Sequence, residues 1–170
     1  MSVRRAAIAG AILSVASVAH ADPIEQDHQL TFGVVGTYVP SQNNLIGTDI
    51  FALGHYVAYT HAIDCFHVGA RLAASIGTGP QFLIDPTVFM GLHFRTGRLA
   101  LRIDVGTGPY INGGDGFATG VIDHTYLRAA AQVRIVKSVV VEAFGGPGLV
   151  IGPSVAGVLA EWGIGAGWNF

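Results

Sequence analysis

Four side chains of metal-ligating type, His61, Asp64, Cys65 and His67, fall within seven residues of one another. Zinc is held by these residue types. The spacing matches no ligand motif, however, and the turn would have to fold all four onto one point. An inert Cys65 in a tight turn between two unrelated histidines is the simpler reading, so neither a metal nor a cofactor is expected. Asn112-Gly-Gly-Asp-Gly116 has the look of a calcium loop but lacks the further acidic positions, and it reads as a flexible connection. Serine chemistry would need a nucleophile, a base and an orienting carboxylate. Past residue 22 the serines are Ser41, Ser75, Ser138 and Ser154, and none lies two residues from a histidine on a strand face. The nearest arrangement is His124 beside Thr125 and Tyr126, but adjacent strand residues point to opposite faces. No run of basic residues suggests nucleic acid.

The charges that remain follow a rule set by the elements that carry them. About eight segments alternate with period two. They span roughly 28–39, 50–61, 66–76, 87–95, 99–107, 121–135, 139–146 and 157–170. In the third, Phe66, Val68, Ala70, Leu72, Ala74 and Ile76 oppose His67, Gly69, Arg71, Ala73 and Ser75. In the fifth, Leu99, Leu101, Ile103 and Val105 oppose Ala100, Arg102, Asp104 and Gly106. The second segment is ambiguous. The register that turns Phe51, Leu53, Val57 and Tyr59 to the apolar side is preferred, and it carries His55 and His61 with them. Connections alternate too. They are tight at 62–65, 96–98 and 136–138, and longer and richer in Gly, Pro and Asn at 40–49, 77–86, 108–120 and 146–156.

Arg71, Arg95, Arg102, Asp104, Arg128, Gln132, Arg134, Glu142 and Glu161 all lie opposite the apolar series. The chain is 51% hydrophobic and 12% charged, against about 25% charged in ordinary domains. Past residue 21, no apolar run is long enough for a spanning helix. Apolar surface in alternation therefore faces either a core or lipid. If it faces lipid, the charges must face inward, because each Arg or Lys at the bilayer midplane costs about 2–4 kcal/mol. Several together would outweigh a typical stability of about 5–15 kcal/mol. A barrel of eight strands is just wide enough for side chains to fill. Arg71, Arg95, Arg102, Arg128 and Arg134 are thus expected to meet Asp104, Glu142 and Glu161 across a filled lumen, and inward glycines to leave them room.

Both ends of the chain agree. Arg4 and Arg5, the apolar stretch from Ala6 to Val18, and Ala19-His20-Ala21 fit a signal peptide cleaved before Asp22. One domain over 22–170 is left. Counting back from Phe170 in twos gives Trp168, Ala166, Ile164, Trp162, Ala160 and Val158, with Gly, Asn and Glu between. This resembles the C-terminal strand of the outer-membrane β-barrel proteins of Gram-negative bacteria. The signal peptide, the alternating connections and the two-faced strands extend the resemblance to the small OmpA transmembrane-domain and OmpX type over the whole of 22–170. The resemblance implies an all-β, eight-stranded, antiparallel up-and-down transmembrane barrel in the outer membrane. Its surroundings would be outer-membrane lipids including lipopolysaccharide. Trp162, Ile164, Trp168 and Phe170 would form the signal read by the barrel-assembly machinery. A structural or surface-interaction role without catalysis is expected, and no external ligand is indicated. A lipid A deacylase and a narrow small-solute channel are the alternatives.

Overall fold

The computed structural model describes residues 27–40, 49–78, 81–114, 120–152 and 155–170. The expected signal peptide lies outside them, as do Asp115 and Gly116 of the calcium-like segment. Period-two alternation becomes eight strands: β1 (Asp27–Val39), β2 (Ile50–Ile63), β3 (Phe66–Gly77), β4 (Gln81–Thr96), β5 (Leu99–Gly114), β6 (Gly120–Val136), β7 (Val139–Gly152) and β8 (Val155–Asn169). Each pairs antiparallel with the next, and β8 returns to β1, so the sheet closes and has no free edge. Two-residue connections join β2 to β3, β4 to β5 and β6 to β7. Asp64 (φ 57°) and Gly97 (φ 58°) take the left-handed backbone there. Such tight turns need positive φ, and glycine and aspartate are among the residues that supply it.

The connections at the other end differ from the expectation. Most of 77–86, 108–120 and 146–156 is strand: β4 begins at Gln81, β5 runs to Gly114 and β7 to Gly152. The misleading signal was proline. Pro86 and Pro109 fall where the β4–β5 ladder is interrupted, between the pairs Ile84–Ile111 and Val88–Thr107. Each keeps a register partner on its other side, Leu72 and Asp123 respectively. Pro147 sits in a similar gap between β6 and β7 and is paired with Ala160. Proline lacks the N–H that a ladder requires, so strands accommodate it where a ladder breaks.

The register is staggered. From Gln29 the paired residues run through Thr60, Gly69, Phe89, Gly106, Tyr126 and Gly148 to Leu159. Leu159 is next to Ala160, which pairs with Tyr38, so the circuit ends far up β1 from where it began. A stagger of this kind tilts strands by about 35–45° and fixes the barrel's width. The wall then has two faces. Leu53, Ile76, Val88, Met90, Leu127 and Ile164 are exposed outside, while Arg71, Asp104, His124 and Glu161 are buried within. In β2, Phe51, Leu53 and Tyr59 point out and Tyr56 points in, and His55 is exposed. The outside-facing register is the one found.

Candidate functional site: the barrel interior

The interior is built from alternate residues of every strand, so its chemistry is layered along the axis. At the loop end it is apolar: Val39, Ile50, Leu83, Tyr110, Val150 and Leu159 pack together. Nothing in the sequence pattern pointed to this cap, because much of it lay in segments read as loops.

Beneath it the Arg71 guanidinium donates to Glu161 and, at 2.5 Å, to Asp85 Oδ2. Asp85 also faces His124 Nδ1 at 3.0 Å. Further toward the turns, Asp104 is fully buried. It accepts from Arg128 Nη2 at 2.6 Å and from Arg102 Nη2 at 3.0 Å, and it faces His67 Nε2 at 2.5 Å. Glu142 accepts from Tyr56 Oη at 2.7 Å and Gln132 Nε2 at 2.9 Å, with Arg102 Nη1 3.5 Å away. Each buried carboxylate thus faces at least one cation, which is what keeps a desolvated charge tolerable.

The expected lumenal charges therefore divide. Arg71, Arg102, Asp104, Arg128, Glu142 and Glu161 are buried and in contact with one another's partners. Arg95 and Arg134 lie on the inward series but at the turn end, exposed and half-buried respectively. Each sits within three residues of a hairpin turn, where the lumen opens. Asp85 belongs to the network but had been hidden in a presumed loop beside Pro86.

Aromatic rings fill the space between these charges. A Cβ on Gly106 would lie 2.3 Å from the Tyr126 ring, one on Gly163 2.4 Å from Phe144, and one on Gly69 2.4 Å from Phe89. Each glycine is the register partner of the residue whose ring covers it. The inward glycines thus make room for rings, and the rings carry the arginines. Arg128 lies 5.3, 5.2 and 4.7 Å from the ring centres of Phe89, Tyr126 and Phe144, and Arg71 lies 5.0 Å from Tyr126. A guanidinium over an aromatic face is attracted by the ring quadrupole, more strongly when desolvated.

The candidate chemistries resolve geometrically. His67 is buried inside, whereas His61 stands outside, stacked on His28 with ring centres 4.5 Å apart. The barrel wall separates them, so the four ligand types do not converge. His124 faces Asp85 through Nδ1 as a catalytic base would, but among the described residues its Nε2 has no hydrogen-bond partner. A Cβ on Gly148 would meet that Nε2 at 2.7 Å. Thr125 is exposed on the opposite face.

Of the expected assembly residues, Trp162, Ile164, Trp168 and Phe170 are all exposed outside. Trp168 and Phe170 lie at the turn end. There the Phe170 N–H donates to the His28 carbonyl at 2.9 Å and its ring stacks on His28. Trp162 instead lies near the middle of β8, over Gly36.

No protein-family model and no curated protein sequence matches the chain. Solved structures do. Neisserial surface protein A superposes with a TM-score of 0.69 at 9% identity, over 88% of this chain and 100% of that one. Ail, the attachment invasion locus protein of Yersinia pestis, gives 0.59 at 16% identity, over 86% of this chain and 99% of that one. The N-terminal β-barrel domain of Pseudomonas aeruginosa OprF gives 0.57 at 13% identity, over 87% and 100%. The chain has the fold of these small eight-stranded outer-membrane barrels.

Proposed function

We propose that this protein is an integral outer-membrane barrel with a structural or surface-interaction role, its lumen filled by the charged and aromatic network and performing no catalysis. The observation that carries the reading is the inversion of its two faces. A water-soluble barrel exposes charge and buries apolar side chains. Here Leu53, Ile76 and Met90 are 64%, 72% and 65% exposed while Arg71 and Asp104 are 2% and 0% exposed. Exposed apolar area on this scale is stable only against hydrocarbon.

Residues 1–21 serve as a cleaved export signal on this reading. Trp162, Ile164, Trp168 and Phe170 present β8 to the barrel-assembly machinery, and the finished wall contacts outer-membrane lipids, lipopolysaccharide included. Among the described residues a deacylase reading lacks a hydroxyl at His124 Nε2, and a channel reading must pass the apolar cap and the ion pairs beneath it.

The test is electrophoretic mobility of the refolded 22–170 chain, boiled against unboiled. A folded transmembrane barrel resists mild SDS and shifts on heating, with strand-rich circular dichroism. Absence of a shift across several detergents and lipids would overturn the membrane reading.

A further inference from the structure

The apolar cap and the ion pairs beneath it meet at one small cavity. Leu83 and Tyr110 line it from the cap, Asp85 and Glu161 line it from the charges around Arg71, and Thr37 and Ser75 add two hydroxyls. All of these residues are less than a tenth exposed. They come from β1, β3, β4, β5 and β8, so the cavity belongs to the closed barrel and to no single hairpin. Its volume is about 10 Å³, room for one water molecule.

Tyr110 is the residue that does not fit its layer. It packs with the cap, yet among the described residues its hydroxyl has no hydrogen-bond partner. A buried hydroxyl left unpaired is a net cost to a fold. Acceptors are near, because the hydroxyl lies within electrostatic reach of both Asp85 and Glu161, as well as of Arg71. Those carboxylates are already engaged, Glu161 with Arg71, and Asp85 with Arg71 and His124 Nδ1. Each carboxylate still has lone pairs to offer. A water in the cavity can accept from the phenol and donate to a carboxylate, with the Thr37 and Ser75 hydroxyls as further partners. Buried waters typically make about three hydrogen bonds, and the groups lining this cavity can supply them.

We propose that the cavity is an internal water site, in which one water molecule accepts from the Tyr110 hydroxyl and donates to Asp85 or Glu161, tying the cap to the charged layer. Two carboxylates also suggest a cation, but a cation gives the phenol proton no acceptor, and Arg71 already sets its positive charge against both. The water site goes beyond the membrane reading and does not depend on it.

A crystal structure of the folded barrel, at a resolution that shows ordered water, tests this. Density should lie within hydrogen-bond distance of Tyr110 Oη and of a carboxylate oxygen of Asp85 or Glu161. Absence of density within reach of Tyr110 Oη would overturn the site. Density with several oxygen contacts at about 2.3–2.6 Å would overturn the water in favour of a cation. Tyr110→Phe gives an independent sign, read from the urea unfolding midpoint. The variant keeps the ring in the cap and removes only the hydroxyl. If the hydroxyl donates to a water, the midpoint should fall. If it is unpaired, its removal relieves a desolvated polar group, and an unchanged or raised midpoint would overturn the hydrogen bond. Should the variant fail to fold, the density in the wild-type barrel decides.

Discussion

Asp104 has no accessible surface and faces three groups of opposite or donating character, Arg102, Arg128 and His67. Removing one partner from a buried charge cluster costs more than the cluster contributes, because the remaining charges stay desolvated and unpaired. Asp104→Ala is therefore expected to lower stability by about 3–5 kcal/mol, read from urea unfolding in lipid vesicles by tryptophan fluorescence. Asp104→Asn keeps the shape and a carbonyl acceptor, so its loss should be smaller. An unchanged urea midpoint for Asp104→Ala would show that the cluster does not stabilise the barrel. At this scale the sequence was readable wherever alternation held. Arg71, Arg102, Arg128, Glu142 and Glu161 are inside because their neighbours are apolar and the strand period is two. It was unreadable where a side chain's partner comes from another strand. That Tyr126 covers Gly106 depends on the β5–β6 register, which no single segment encodes.

The elements carry a second expectation, in β8. This strand closes the barrel by pairing with β1 from Gln29–Asn169 to Tyr38–Ala160. Beyond the last of these pairs, Phe170 still donates its N–H to His28 and lays its ring on the His28 imidazole. Deleting Phe170 removes one hydrogen bond and one stack from a seam of many. The folded barrel should therefore lose little stability, on the order of 1 kcal/mol. If the residue is also part of the assembly signal, its deletion should instead sharply reduce outer-membrane levels in cells while the purified variant still refolds in detergent. Normal cellular levels would remove Phe170 from the assembly role. Element boundaries, by contrast, were the weakest part of the sequence reading. Prolines such as those at 86, 109 and 147 normally end strands, yet here they mark interruptions within long ones. With β4 starting at Gln81, Asp85 moves from an external loop into the lumen beside Arg71 and His124.

At the level of the whole molecule, what decides the environment is which solvent the outer wall requires. Val88 lies midway along β4 and is 62% exposed, with Ala70 and Thr107 as its register neighbours. In water, replacing such a surface valine by arginine would change stability by within about 0.5 kcal/mol. In a bilayer, the same position faces the hydrocarbon midplane. Val88→Arg should then cost about 2–4 kcal/mol, while an arginine near the wall's ends should cost about 0–1 kcal/mol. Leu99, the first residue of β5 beside the β4–β5 turn, supplies that second position. Unfolding free energies of Val88→Arg and Leu99→Arg, measured in phospholipid vesicles, should differ accordingly. Equal and negligible costs would mean that the apolar wall does not meet lipid, and the exposed belt would then need another partner. A depth-dependent cost would tie the period-two pattern of the sequence directly to the bilayer, because the same alternation that places Val88 outward places Phe89 beneath Arg128 inside the barrel.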